Sequence, residues 1–335
     1  MARVVVVGSF IQDLTFWVEA LPSVGETRLA RLTTGPGGKG SNQAIACRRQ
    51  GVETLFVGAV GDDPFGRAYT DLARGECLEI ALEVSKTVPT GTASIWVDAK
   101  SRNMIAVAPG ASGELSVDHI ERHRKSIESA RVFLTQLEAN LAATEHALEI
   151  ARAARALTIL NPAPIHVGVT RSLIDLADIL TPNETELAFL LQHLHGTTVE
   201  ARYWEAPDPD LAKICASFNV PTVVLTLGER GCFVAHRSLT TGQAHLAGET
   251  RLHYRVPAAS VRPVDTTGAG DAFSGALAAA LALRPREFRA AVEQATVAAG
   301  LSTERPGAAM AMPTGEEVRA RRGSPPPLGL LSEIL

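Results

Sequence analysis

Apolar and polar positions along this chain follow two periodicities. Short apolar runs recur at Val4 to Gly8, Thr54 to Val60, Arg131 to Gln136, Leu157 to Asn161, Ile179 to Thr181 and Thr222 to Leu227. Runs of this length, rich in β-branched residues and bounded by turn formers, read as strands covered on both faces. Helical spacing occupies the stretches between and around them: Pro64 to Gly75, Val117 to Ser129, Leu141 to Ala156, Glu184 to Leu194 and Asp210 to Phe218. Strand–helix alternation predicts an α/β fold, a doubly wound and mostly parallel sheet with helices on both faces.

Two regions break that rhythm. Leu21 to Thr34 contains the alternation Arg28-Leu29-Ala30-Arg31-Leu32-Thr33, and Thr92 to Val107 has two alternating halves about a turn at Lys100 to Asn103. Alternation predicts strands with one wet face. They would form a small sheet apart from the main one, a lid built from about 14–34 and 92–108 within a single unit spanning 1–318. His195 to Asp210, polar and carrying Pro207 and Pro209, reads as a surface loop. Residues 319–335, basic and then proline-rich, read as a flexible tail ending in a short apolar anchor.

Composition narrows the function classes. With 335 residues and 46% hydrophobic content the chain can bury a large core. A net charge of −4 lacks the basic excess of a nucleic-acid binder. No apolar run approaches the ~20 residues that span a bilayer. The start of the chain reads as a strand rather than a signal peptide, which suggests a cytoplasmic protein. Cys47, Cys77, Cys215 and Cys232 have no Cys-x-x-Cys spacing and read as small buried hydrophobes in a reducing compartment. His119 and His123 read as part of a solvated helix face, since His-Ile-Glu-Arg-His is not a metalloprotease motif.

The candidate chemistry centres on Val264 to Phe273. Small residues from Thr266 to Gly270 lead into Asp271 and then into a strong helix former, Ala272 to Leu281. Free N–H groups of Gly268, Ala269 and Gly270 at such a helix start would converge on one anion, and Asp271 at its edge would take a proton. An anion hole beside a base suits phosphoryl transfer to a hydroxyl. The same residues would also serve as a glycine-rich turn with Asp271 as the helix cap. Neither the dinucleotide fingerprint, which needs glycine where Phe273 stands, nor the Walker loop, which needs Ser or Thr after its lysine, is present.

A second glycine-rich segment, Gly35 to Gln43, precedes a helix read as Ala44 to Gln50. Its glycines let a ligand approach the backbone, while Lys39 and Asn42 offer polar contacts. Other polar residues fall just past strand ends: Asp13, Glu138, Asn183, Glu186 and Gly228. Each alone would serve as a cap or turn. Their repeated placement at one sheet edge points to a ligand there.

Together these residues resemble the ribokinase branch of the PfkB carbohydrate kinase family, over nearly the whole chain. Gly37-Gly38-Lys39-Gly40-Ser41-Asn42-Gln43-Ala44 resembles one family signature, and Asp265-Thr266-Thr267-Gly268-Ala269-Gly270-Asp271-Ala272-Phe273 the other. Thr181 to Glu186 and Thr226 to Gly231 add two more. The resemblance implies a ribokinase-like sheet with a small β-sheet lid, and ATP-dependent phosphorylation of D-ribose to D-ribose 5-phosphate. Asp271 would be the base, and Gly268, Ala269 and Gly270 would hold the transferring phosphoryl group. Asp13, Gly38, Lys39, Gly40, Ser41, Asn42 and Glu138 would grip the sugar, with Ile11 and Gln12 beside them. Asn183 and Glu186 would lie near the phosphates and Mg²⁺. Thr226, Leu227, Gly228, Glu229, Arg230, Gly231 and Thr296 would border ATP. A monovalent cation, usually K⁺, would sit near Asp265, Thr267, Ser302, Arg305 and Gly307, and family members are often homodimers joined through the lid.

Two positions depart from the family pattern. Ile11 stands where ribokinases often carry an asparagine that reaches a sugar hydroxyl. Ala311 stands where many members have a serine ligand for K⁺. The first keeps 2-deoxyribose, or another furanose or ketose, open as the acceptor. A non-catalytic sugar- or nucleotide-binding regulator on the same fold is the reading from another class.

Overall fold

The computed structural model describes residues 3–100, 102–239 and 244–323. The chain opens with β1 (Arg3–Val7), β2 (Ile11–Trp17), β3 (Arg31–Gly37), α1 (Lys39–Arg49), β4 (Glu53–Gly61), α2 (Pro64–Gly75), β5 (Glu79–Ser85), β6 (Gly91–Val97) and β7 (Asn103–Ala108). The middle contributes α3 (Val117–Arg122), α4 (Arg124–Glu128), β8 (Val132–Thr135), α5 (Leu141–Ala153), β9 (Leu157–Leu160), α6 (Arg171–Asp175), β10 (Ile179–Leu180), α7 (Glu184–His195) and α8 (Asp208–Cys215). It closes with β11 (Thr222–Thr226), β12 (Cys232–His236), β13 (His253–Val256), α9 (Ala269–Leu283), α10 (Phe288–Ser302) and α11 (Gly315–Arg322).

The main sheet has nine strands in the order β13-β12-β11-β10-β9-β8-β1-β4-β5, parallel from β11 to β5 and antiparallel at β12 and β13. β1 explains its own sequence. Val4 and Val6 belong to the core under α1, α9 and α10, whereas Val5 and Val7 belong to the core under α5 and α7. A strand covered on both faces has no position to spare for a polar residue, hence the valine run. Because these strands are parallel, Ser9, Gln136, Asn161, Asn183 and Leu227 emerge at one edge. The second sheet has four strands in the order β3-β2-β6-β7.

Several boundaries differ from the sequence-based expectation. The first glycine-rich helix starts at Lys39, five residues before Ala44, because Gly38 already sits at the N-cap. The Val117 to Ser129 stretch is two short helices meeting at His123. His119 is buried, its Nε2 3.1 Å from the Ala81 carbonyl, so the solvated face is wrong there. Cys77 is exposed, while the other three cysteines are buried. The small sheet recruits β2 from Ile11, and β3 begins only at Arg31 and runs on to Gly37. The polar insertion holds a one-turn 3-10 helix with Tyr203 buried, its hydroxyl donating to the Glu184 carbonyl at 2.8 Å. Residues 319–322 are not tail but the end of α11, which a Thr314–Glu317 capping box starts. The terminal apolar anchor and the residue Ser101 in the expected turn lie outside the described residues.

Candidate active site

Two loops make the floor of the site by close backbone approach. Gly38 holds φ +85, and a Cβ there would lie 2.5 Å from the Ile11 backbone nitrogen. At Gly40 a Cβ would come within 2.6 Å of the Ser9 nitrogen. Only glycine lets the start of α1 press onto the ends of β1 and β2. That contact is sealed by Ser41 N–H donating to Ser9 O at 2.9 Å.

Because α1 begins at Lys39, Asn42 and Gln43 are three and four residues on and share its face. Both reach Asp271 in the first turn of α9: Asn42 Nδ2 donates to Oδ2 and Gln43 Nε2 to Oδ1, each at 2.9 Å. Asp271 is 6% exposed. Burial raises its pKa above the ordinary aspartate value; Lys39, Asn42 and Gln43 oppose that rise and Glu138 adds to it. A carboxylate whose pKa is raised in this way is a better base than a free aspartate. At Lys39 burial opposes the ammonium charge, but Asp271, Glu138 and Glu186 outweigh it and lift its pKa, so the lysine stays charged.

Glu138 accepts from Ser9 Oγ at 2.5 Å and from the Lys39 N–H at 2.8 Å, fixing it beside the same loop. Asp13 on β2 completes the group. Burial, with Glu138 and Asp271 nearby, raises its pKa to about 7. A carboxyl raised in the folded state gives stability that is complete below its unfolded pKa and lost as pH rises through about 7. Asp13→Asn should therefore stabilise the ligand-free protein at pH 8 by roughly 1–2 kcal/mol and leave it unchanged near pH 4. Melting temperatures of both proteins across that range check this; a gain of equal size at both ends would contradict it.

The anion hole differs in detail from expectation. Ala269 N–H turns back onto Thr266 O at 3.2 Å, whereas among the described residues no bond takes up the N–H of Gly268, Gly270 or Asp271. Across the sheet edge, Asn183 caps α7: its Oδ1 accepts from Glu186 N–H at 2.8 Å, and Glu186 accepts from Asn183 N–H and Nδ2. Burial raises the Glu186 pKa, against the Asn183 backbone bond and the Lys39 charge. Asn183 also bridges to Thr226, whose N–H donates to Pro182 O at 2.9 Å. Gly228, Glu229 and Arg230 form one 3-10 turn ending at Gly231, and Arg230 reaches Glu184 at 3.6 Å. Leu227 is buried, and the buried Thr296 hydroxyl is committed to Val292 O at 2.9 Å.

The cation-site candidates cluster separately. Asp265 Oδ1 accepts from Thr267 N–H and Oδ2 from Gly307 N–H, both at 2.9 Å, tying two loops together. Burial works against its charge, yet the bonds from Thr267 and Gly307 hold its carboxyl below the usual range. Ser302 is buried with its hydroxyl on Ala299 O at 2.8 Å, and Arg305 pairs with Glu317. Ala311 is 1% exposed and brings no oxygen from its side chain.

On β2, Ile11 is 2% exposed with Cδ1 against Gly91, and Gln12 spends its amide on the Gly35 carbonyl at 2.7 Å. The sequence reading passed over Ser9, Gln43, Gln136 and Asn161 as site residues. Gln43 was findable: starting the helix at Lys39 puts it four residues on, on the face of Lys39.

The chain matches the pfkB family carbohydrate kinases over residues 1–315. It is 33% identical to ribokinase of Mus musculus over 286 residues, 85% of this chain and 83% of the mouse protein. A deoxyribokinase of Salmonella typhimurium is 30% identical over 318 residues, 94% of this chain and 96% of that protein. The structure of Arabidopsis thaliana ribokinase complexed with ribose and ATP is similar with a TM-score of 0.79 at 28% identity, covering 95% of this chain and 98% of that one.

Proposed function

This chain belongs to the pfkB family of carbohydrate kinases, and on that premise we propose that it transfers the γ-phosphoryl group of ATP to the 5-hydroxyl of D-ribose. The observation that carries the reading is Asp271: a buried carboxylate, held by two side-chain amides, at the head of a helix with unclaimed N–H groups. A primary hydroxyl does not ionise near pH 7, so it needs that carboxylate as it attacks. The N–H groups at Gly268, Gly270 and Asp271 and the α9 dipole receive the charge on the transferring group. Lys39, kept charged, adds a cation at the same edge. Asp13, Lys39, Asn42 and Glu138 grip the sugar. The segment Thr226 to Gly231 borders the nucleotide.

Among the described residues no cluster of three or more acidic, His or Cys groups holds a metal by itself. That fits an ion held largely by nucleotide phosphates and water. Glu186 and Asn183 would hold Mg²⁺ there, and bound Mg²⁺ neutralises phosphate charge. The Asp265 loops, joined by backbone bonds around one anionic carboxylate, fit a monovalent cation taken chiefly by carbonyl oxygens. We expect K⁺ to activate over Na⁺ with weak apparent affinity, since Ala311 lacks a hydroxyl. Initial rates against K⁺ at constant ionic strength test this; equal rates without K⁺ would contradict it.

The small sheet acts as a lid that excludes water from the transfer, and a homodimer joined through it covers the exposed Trp17, Leu32, Met104, Ile105 and Val107. No described helix is long and apolar enough to cross a membrane, and a cytoplasmic site suits the free cysteines. A second acceptor, 2-deoxyribose, is favoured by the buried apolar Ile11 and by the likeness to a deoxyribokinase. Coupled ADP release across pentoses and hexoses tests the reading. Sugar-dependent release, highest for ribose or 2-deoxyribose, is expected; release indifferent to every sugar would overturn it and favour a binding protein.

A further inference from the structure

Gln43 is fully buried, and both the nitrogen and the oxygen of its amide are engaged. Nε2 donates to Asp271 Oδ1 at 2.9 Å and to Asn161 Oδ1 at 3.0 Å, while Oε1 accepts from Gln136 Nε2 at 2.6 Å. A primary amide has two N–H donors and one oxygen, so these three bonds leave a single orientation. Turned over, Gln43 would set its oxygen against those of Asp271 and Asn161, and its nitrogen against that of Gln136. Asn161 is fixed in turn, because its Nδ2 donates to Thr181 O at 2.9 Å. An unbroken line of hydrogen bonds thus runs from the backbone after β10, through Asn161 and Gln43, to one oxygen of Asp271. The second oxygen is met independently by Asn42.

We infer that Gln43 is a positioning residue for the phosphoryl transfer: braced by Gln136 and Asn161, it fixes the plane of the Asp271 carboxylate so that its remaining lone pairs face the sugar hydroxyl. This rests on Asp271 being the base. The other charged groups bearing on Asp271 are Lys39 on α1, Asp13 on β2, Glu138 beyond β8 and Glu186 on α7. None of them is a neutral donor set at a fixed angle, so none substitutes for Gln43. A carboxylate free to rotate would lose the aligned geometry on which transfer depends, a loss worth up to ~10²-fold. It would also lose a donor to its charged form, which raises its pKa.

The test is the pH profile of kcat/KM for Gln43→Met, similar in length but without polar atoms, beside the unaltered protein. We expect kcat to fall about 10- to 100-fold with KM for ATP little changed, and the acid limb to move to higher pH. Gln136→Met, which frees the brace but keeps Gln43, moves the limb the same way by less, and it carries the test should Gln43→Met not fold. Acid limbs that superimpose on the unaltered profile in the folded variants would overturn the inference, whatever the melting temperatures. Asp271→Asn, run alongside, separates the two readings: if it abolishes turnover while the limbs stay in place, only the positioning role fails; if it retains full turnover, the base assignment fails and the positioning role with it.

Discussion

Replacing Asp271 with asparagine should lower kcat by at least ~10²-fold while leaving ATP affinity within a few-fold. The substitution preserves shape but removes the charge and the ability to take a proton, and it replaces one oxygen that accepts an amide N–H by a donor. In the native site each carboxylate oxygen accepts one amide N–H, from Gln43 and Asn42, and the residue is almost wholly buried. Burial raises its pKa, with Lys39, Asn42 and Gln43 keeping part of that rise in check. Its basicity is thus enhanced over that of a free aspartate. Among the described residues Asp271 is the acidic residue in the first turn of α9. Glu138 is committed to Ser9 and the Lys39 backbone, and Glu186 to the α7 cap. ATP should still bind, because the borders proposed for it, Thr226 to Gly231 and the α9 N–H groups, are left unaltered. Turnover of the variant at the native rate would remove Asp271 from the chemistry.

The second large effect concerns the acceptor. Ile11 is buried, and its neighbour Gln12 gives its Nε2 to the Gly35 carbonyl. Neither side chain therefore donates to a sugar hydroxyl placed beside β2. A hydroxyl buried without a partner costs ~1–3 kcal/mol, or about ten- to a hundredfold in kcat/KM since ~1.4 kcal/mol is tenfold. A sugar lacking that hydroxyl escapes the loss. The native protein should discriminate weakly for ribose over 2-deoxyribose, and Ile11→Asn should shift the ratio of the two kcat/KM values toward ribose by about ten- to a hundredfold. A ratio that stays put in the variant would sink the idea.

Much of the scaffold was legible because burial on both faces leaves an unmistakable mark. The valine run of β1 and the apolar core strands β8 to β11 follow from covering helices, and their ends bring Glu138, Asn183 and Thr226 to one edge. Elements without that mark escaped. β5 is an edge strand that is mostly half-buried, and β13 is the opposite edge, buried only at alternate positions; β12 carries the mark, being buried throughout, and escaped nonetheless. His119 looked solvated because its polarity hides a bond to Ala81 O. In the site, glycine loops and acidic residues announced themselves by type. Gln43, Gln136 and Asn161 did not, since an amide among helix and strand residues is common. Their importance lies in a three-way geometry that only the folded chain assembles. The start of α1 was misread for a related reason: glycines argue for a loop, whereas here they permit a helix to begin against β1.

The most direct test of the account is the identity of the product. The protein is incubated with ATP, Mg²⁺, K⁺ and D-ribose, and the phosphate ester is located by phosphorus–proton coupling in NMR. The account predicts ADP and a single ester on the C5 oxygen, formed one for one and absent with Asp271→Asn. An ester on any other oxygen, or ADP formed without a sugar phosphate, would contradict it.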